Sequence, residues 1–330
     1  MSGSKSSVAG AAAHANGRRL GVVLNRDGGT VRRLGADDLR ERLTAAFASA
    51  GARAEIVLAP GAEIAAELGR MRERALAGEL DGVVVGGGDG GVNCAAGALA
   101  GSGVALGVLP LGTLNHFAKD VGMPADVEEA AKIIAGSAPR AVDVAEVNDR
   151  VFVNNSLLGA YPYMVADRER RREQHGLGKW PAMTLAFLRM LARFPRRRLV
   201  LCFEGDRRPV HTPSLMVGVN EYDPGGLEVR RRHGLDRGRL WLLIARHRRP
   251  LGFAWFAFRT VFFGLDRGRD FEVLELSAVE VRARVSRLPV STDGEIMRLA
   301  TPLRYSIRPG ALLVLAPQAE AQDGTATSDR

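Results

Sequence analysis

The stretch Val83-Val84-Val85-Gly86-Gly87-Gly88-Asp89-Gly90-Gly91-Val92-Asn93 runs three β-branched residues into five glycines that enclose one carboxylate. Three valines in succession suit a strand buried on both faces, and the glycines permit backbone angles and close approaches that a Cβ would block. The small residues Cys94, Ala95, Ala96, Gly97 and Ala98 predict a helix whose first turn points free N–H groups at the glycine loop, which makes an anion site. Three readings compete. The loop can be glycine-rich for packing alone. Gly86, Gly88 and Gly91 also satisfy G-x-G-x-x-G, the dinucleotide pattern, but Asp89 would then repel the pyrophosphate and no clear ribose-binding acid follows. In the third reading Asp89 steers a metal or accepts the proton of an attacking hydroxyl, which is phosphoryl-transfer chemistry.

Working outward, Gly87-Gly88-Asp89-Gly90-Gly91-Val92-Asn93 is followed by Leu109-Pro110-Leu111-Gly112-Thr113-Leu114-Asn115-His116-Phe117-Ala118. The pair of motifs resembles the diacylglycerol kinase catalytic-domain family. The resemblance continues through Asp143 and Asn154-Asn155-Ser156 to Asp293-Gly294-Glu295 and residues 312–317, so it covers nearly the whole chain. It implies ATP and Mg²⁺ as cofactors and a lipid hydroxyl as acceptor, diacylglycerol or a sphingoid base. The same glycine motif occurs in NAD kinases, which makes a soluble-substrate kinase the alternative.

The 330 residues are 46% hydrophobic and 25% charged, enough for one or two domains with real cores. The formal charge is +9, carried by 42 arginines and only four lysines. Such a surface attracts polyanions: ATP, an anionic membrane or nucleic acid. The family resemblance favours the first two, with no nucleic-acid partner expected and a homodimer compatible with the sequence. Cys94 and Cys202 offer neither metal-ligand spacing nor a disulfide framework, consistent with a reducing compartment. Residues 1–17 read as a disordered leader and 319–330 as a disordered tail. No run approaches the ~20 apolar residues of a membrane span, so the expectation is a cytoplasmic protein with peripheral membrane association.

From residue 20 the pattern is β-α-β-α-β: strands at 20–24, 54–58 and around Val83, helices at 38–50 and 63–77. This alternation predicts a parallel sheet. Asp38 with Glu41 looks like a helix start that places Leu39, Leu43 and Phe47 on one face. Asn25 ends the first strand at the sheet edge where α/β ligands bind. The family carries Asn-Pro there; this chain has Asn25-Arg26, so Asn25 alone is carried over as a nucleotide contact. A strand at 104–109 then leads to a turn in which Thr113 can cap a helix at 114–120; Thr113 and Asn115 either cap or line the nucleotide. Asp126 with Glu129 opens a helix that closes a nucleotide-binding α/β domain, residues 18–141.

Residues 142–310 turn to short alternating runs, expected as strands at 142–147, 151–155, 199–204, 215–219, 239–244 and 279–285. The expected fold is therefore an α/β domain with a parallel sheet plus a mostly antiparallel β-sandwich that, by resemblance, supplies the lipid pocket. A final strand, 311–317, returns to the first domain. Two helical interruptions are expected. Residues 180–194 lie next to the basic run 168–172. Residues 251–263 hold five phenylalanines and Trp255 behind Arg246-His247-Arg248-Arg249, and suit a core helix, an edge dipping into a membrane interface or an acyl-pocket wall.

A lipid hydroxyl needs a base as the P–O bond forms. The resemblance assigns that role to Glu295, with Asp293 orienting it or water around the metal, and Asp89 near the Mg²⁺ and phosphates; the roles of Asp89 and Glu295 are exchangeable at this stage. Gly87, Gly88, Asp89, Gly90, Gly91, Asn93, Gly112, Thr113 and Asn115 join Asn25 as nucleotide-binding candidates, while the metal ligands are not assigned. Three positions depart from the family pattern. Gly91 stands where a Thr or Ser is common, Cys94 where an acidic residue is frequent, and Arg237 where a carboxylate precedes Gly238 at a structural Mg²⁺ site. The last predicts no structural metal there unless Asp236 substitutes. The first keeps open a third reading, a nucleotide-gated lipid-binding protein without turnover.

Overall fold

A computed structural model describes residues 17–159, 162, 197–221, 232, 234–247, 249–252, 255 and 270–318. The leader to residue 16, the tail from 319, the basic run 168–172, the helix expected at 180–194 and most of 251–263 lie outside the described residues.

The first half alternates as its sequence requires: β1 (Arg18–Asn25), α1 (Gly29–Leu34), α2 (Ala36–Ser49), β2 (Ala52–Ala59), α3 (Ile64–Leu76), β3 (Gly82–Gly87), α4 (Asp89–Leu99), β4 (Ala105–Pro110), α5 (His116–Asp120) and α6 (Val127–Gly136). The strands β2, β1, β3 and β4 pair in that order, all parallel. Val83, Val84 and Val85 are fully enclosed, as befits a central strand covered by helices on both faces. Leu39, Leu43 and Phe47 lie one helical turn apart on α2 and are all buried. Asp126 caps α6 by accepting the Glu129 N–H at 2.8 Å.

Two helix starts differ from expectation. Asp38 does not cap α2: the helix begins at Ala36 behind Gly35, whose φ of 87° suits glycine, and Asp37 and Asp38 sit in the first turn, where they complement the helix dipole. Thr113 does not cap α5, which starts at His116 behind a left-handed Asn115 (φ 51°). The short α1 was not anticipated, because Asp27-Gly28-Gly29 resembles the opening of a loop.

The second half contains β5 (Pro139–Val147), β6 (Arg150–Phe152), β7 (Asn155–Gly159), β8 (Arg197–Phe203), β9 (Asp206–Thr212), β10 (Ser214–Val219), β11 (Leu240–Ala245), β12 (Phe271–Leu276), β13 (Ala278–Ala283), β14 (Arg287–Thr292), β15 (Glu295–Ala300) and β16 (Leu303–Leu315). Strands β12, β11, β10, β7, β14 and β15 form an antiparallel sheet of six. It packs on β5, β8, β13 and the first half of β16 around Leu201, Val217, Leu242, Val281 and Val290. Tyr305 crosses this core, edge-on to Phe152 (ring centroids 6.2 Å apart) and with its hydroxyl 3.0 Å from Ser156 Oγ.

The long β16 makes one hydrogen-bonded sheet of both halves. Residues 303–306 pair with β13, while 313–315 run parallel to Ala105–Gly107 of β4. The register against β5 shifts between Arg308 and Leu312, where Pro309-Gly310 forms a bulge. Buried Asp143 holds that bulge by accepting the Gly310 N–H (2.8 Å) and, on its other oxygen, the Gly238 N–H (2.6 Å).

Candidate active site

None of the glycines from Gly86 to Gly91 has a positive φ. Their value lies in close approach. A Cβ on Gly86 would come within 2.3 Å of Leu24 Cδ2, and one on Gly112 within 2.3 Å of Gly88 Cα. The two turns after β3 and β4 are therefore in backbone contact, which only glycine allows. Asn115 fixes the second turn: its Oδ1 accepts the Gly112 N–H (2.9 Å) and its Nδ2 donates to the Gly112 carbonyl (2.8 Å) and, more weakly, to Pro110 (3.3 Å).

Between these turns and α1 lies a cleft of about 260 Å³ lined by glycines 28, 29, 87, 88 and 112 together with Asn25, Thr30, Val31, Arg33, Leu111 and Thr113. It sits at the carboxyl ends of β1, β3 and β4, the edge where open α/β sheets bind ligands. Thus Asn25, Gly87, Gly88, Gly112 and Thr113 come together, whereas Asn115 serves its own turn. Thr30 and Arg33 were not singled out from sequence. Only the recognition of α1 would have placed Arg33, one turn from Gly29, on the cleft.

α4 begins at Asp89 itself, so Asp89, Gly90 and Gly91 form the first helical turn, behind an extended Gly88. Their N–H groups have no partner within the helix. Asp89 Oδ1 is buried without a hydrogen-bond partner, an arrangement that asks for a cation or a donor.

The turn Asp293-Gly294-Glu295 approaches from the other half. Asp293 is left-handed (φ 47°) and Gly294 has φ 90°. The Asp293 carboxylate accepts three consecutive backbone N–H groups, from Val153 (2.8 Å), Asn154 (2.9 Å) and Asn155 (3.0 Å). With its amide oriented to face acceptors, Asn93 adds a fourth donor, Nδ2 at 3.1 Å from Asp293 Oδ2 and 3.1 Å from the Val151 carbonyl. Asn93 therefore turns toward Asp293 and away from the cleft. Burial pushes the Asp293 carboxyl up to about 6, against the pull of the three N–H groups and of Arg232. A carboxylate holding four donors is an anchor for the turn.

The anchor sets Glu295 against α4. A Cβ on Gly90 would lie 3.2 Å from Glu295 Oε1, so Gly90 leaves the space that the carboxylate fills. The half-buried Cys94 thiol is pushed up by burial and then by the Glu295 charge, which places this carboxylate beside the second turn of α4. Glu295 is exposed and Asp89 half-buried. Two carboxylates of unlike surroundings flank the first turn of α4, one from each half of the chain.

Among the described residues no group of three or more His, Cys, Asp or Glu could cage a metal. Mg²⁺ with a nucleotide does not need one, since it takes one or two carboxylates and completes its shell with phosphate oxygens and water. The orphaned Asp89 Oδ1 fits that demand.

Residues 19–147 match the diacylglycerol kinase catalytic domain. Over 244 residues the chain is 30% identical to the probable lipid kinase YegS-like of Chromohalobacter salexigens, covering 72% of this chain and 77% of that one. A YegS-like probable lipid kinase of Klebsiella pneumoniae is 35% identical over 160 residues, 48% of this chain and 53% of the relative, so the chain matches about half of that protein's length. A solved diacylglycerol kinase of Bacillus anthracis str. Sterne shares the fold with a TM-score of 0.65 at 21% identity, covering 92% of this chain and 98% of that one. On the long match and the domain match together, this chain belongs to the lipid kinase family built on the diacylglycerol kinase catalytic domain.

Proposed function

We propose that the protein transfers the γ-phosphoryl group of ATP to the hydroxyl of a membrane-derived lipid. One observation carries the reading: Glu295, from the half of the chain expected to hold the acceptor, lies against Gly90 in the first turn of α4, the helix that follows the cleft glycines Gly87 and Gly88 and in which Asp89 has an unpartnered oxygen. The triphosphate lies along glycines 87, 88 and 112, with the open N–H groups of α4 toward it and Arg33 supplying positive charge. Asn25 and Thr113 are polar contacts for the rest of the nucleotide. Asp89 would hold Mg²⁺, which neutralises charge on the phosphate oxygens when bound.

Glu295 takes the proton of the lipid hydroxyl as that oxygen bonds to the γ-phosphorus and the bond to the β–γ bridging oxygen breaks, releasing ADP and the phosphorylated lipid. Exposure suits the base role for Glu295, since an incoming hydroxyl must reach it. Asp293 anchors the turn that carries Glu295, which supports Glu295 as the base and Asp89 as the carboxylate on the phosphate side.

The acceptor is taken from an anionic membrane surface. Leu251 and Trp255, each with helical backbone, are 85% and 57% exposed, and Arg246 and Arg249 are exposed as well. Apolar area and arginine charge together hold a protein reversibly at such an interface. Among the described residues no helix is long and apolar enough to cross a membrane.

The test is transfer of labelled γ-phosphate to a panel of diacylglycerols, sphingoid bases and NAD, with and without anionic vesicles. Labelled lipid, formed faster with vesicles, is the expected product. Labelled NAD would replace this reading with a soluble-substrate kinase, and ATP binding without any labelled acceptor would leave a nucleotide-gated lipid-binding protein.

A further inference from the structure

Arg232 lies far from every motif of the sequence, yet its side chain is only 1% exposed. Its Nε donates to Asp120 Oδ2 at 2.7 Å, a carboxylate that is 11% exposed at the end of α5. Its guanidinium carbon stands 5.8 Å from the centre of the Phe117 ring, one turn earlier in the same helix. On the opposite side NH1 donates to the Val153 carbonyl at 2.6 Å, and NH2 lies 3.4 Å from Asn154 Oδ1. Val153 and Asn154 are two of the three residues whose N–H groups hold the Asp293 carboxylate.

One planar cation therefore touches two structures that the reaction must keep in register. α5 directly follows the turn of Gly112 to Asn115 that walls the cleft. The 153–155 segment is the cradle from which Asp293 positions Glu295. A buried guanidinium is suited to such a link because its five donors lie in a rigid fork. Breaking a buried pair of this kind leaves the surviving charge stranded, so the link is stiff.

We propose that Arg232 is a positioning residue, coupling the nucleotide-cleft turn through Asp120 to the Asp293 cradle and so to the placement of Glu295. The proposal rests on the kinase reading of the site. The charged group acting on Asp293 is Arg232, itself paired with Asp120, and Glu295 follows two residues on in the same turn; Arg232 favours the ionised form of Asp293. Protonated Asp293 could no longer accept all of its N–H donors, so loss of Arg232 would loosen the turn at a higher pH than in the parent.

The experiment measures kcat and the KM for ATP from pH 5 to 8.5 for the parent, Arg232→Met, Arg232→Lys, Asp120→Asn and the Arg232→Met/Asp120→Asn double variant, each corrected for folded fraction. The expected result for Arg232→Met is a kcat lower by about tenfold or more near pH 6.5, with the KM for ATP within about threefold of the parent. The acid limb of its kcat profile moves to higher pH, and Arg232→Lys, which keeps the charge, returns the limb toward the parent position. Asp120→Asn lowers kcat alone but by less than about twofold when Arg232 is already Met, since both act through one link. An acid limb that stays in place, or an Asp120 effect equally large with and without Arg232, overturns the proposal. Should Arg232→Met fail to fold, Arg232→Lys and Asp120→Asn decide it: unchanged kcat profiles in both would overturn it. A parent that phosphorylates no lipid removes the kinase reading itself, and the proposal with it.

Discussion

The cleft after β3 and the turn before β15 both end on a carboxylate, but they are built in opposite ways. The cleft is made by leaving side chains out: Gly88 and Gly112 let two turns touch through their backbones, Gly86 leaves room for the Leu24 and Leu111 side chains, and Asp89 keeps an oxygen without a partner. The turn is made by filling every valence: Asp293 accepts three backbone N–H groups and the Asn93 amide, so that Glu295 two residues on is fixed. Room for a ligand and precision of a reacting group place opposite demands on local structure. On the proposed reading this chain meets them in separate halves, which approach each other at α4.

The largest effect should come from closing the cleft. Gly112→Ala puts a methyl 2.3 Å from Gly88 Cα, backbone that cannot move aside as a side chain would. We expect ATP affinity, followed by titration calorimetry, to fall by more than about tenfold, the scale of a 1–3 kcal/mol overpacking penalty. Gly69→Ala in α3 is the matched control, having nothing within 4 Å of its added Cβ; it should bind ATP as the parent does. Equal losses in both variants would mean that the cleft glycines are not special.

A middling effect should appear at the filled end. Because burial raises Asp293 to about 6, the folded chain takes up this proton more readily than the unfolded chain. The stability it adds is fully present below about pH 4 and lost as pH rises through 6. Asp293→Asn cannot titrate, and its altered hydrogen bonding acts alike at both pH values. Between pH 4.5 and pH 7 the parent should therefore lose about 2 kcal/mol more unfolding free energy in urea than the variant does. Parallel losses in the two proteins would show that Asp293 keeps an ordinary carboxylate pKa.

The smallest effect sharpens the contrast within α4. A Cβ on Gly91 would meet Val85 Cγ2 at 3.7 Å, ordinary contact, so the backbone there has room for the Cβ that Gly91→Thr adds. Restoring a hydroxyl to the open first turn should tighten ATP binding a few-fold, about 0.5–1.5 kcal/mol for one hydrogen bond. Unchanged or weaker binding would indicate that the turn has adapted to glycine.

The cleft was legible in the sequence because its signal is local: valines, glycines and the second motif lie within one βαβ stretch. The helix expected to follow the glycine run proved to begin inside it, at Asp89, since glycine composition looks like loop. The one strand expected at 151–155 divides into β6 and β7, in different sheets, and β9, β12, β14 and β15 escaped notice, two of these four interrupted by proline. Pro209 sits on edge strand β9, and Pro289 lies beyond the residues of β14 that pair with β7, so neither leaves a central ladder short of a donor. β16 was expected to begin at residue 311 because Pro309-Gly310 resembles a turn, and here it is a bulge inside a strand of 13 residues. The candidate site was legible as residues more than as roles. Asp293 and Glu295 are both acids in one short turn, and what separates them is the N–H groups of Val153 to Asn155, about 140 positions away in the chain. Arg232 carries no local signal at all.

The central claim is that the two halves divide the work, the cleft holding nucleotide and Glu295 acting on the acceptor. ATP binding and single-turnover transfer to lipid, measured side by side for the parent, Glu295→Gln and Asp89→Asn, test it most directly. The account predicts that Glu295→Gln binds ATP within about threefold of the parent and transfers phosphate at least about 10²-fold more slowly, whereas Asp89→Asn loses transfer together with the Mg²⁺ dependence of ATP binding. A Glu295→Gln protein that retains more than about a tenth of parental transfer would contradict it.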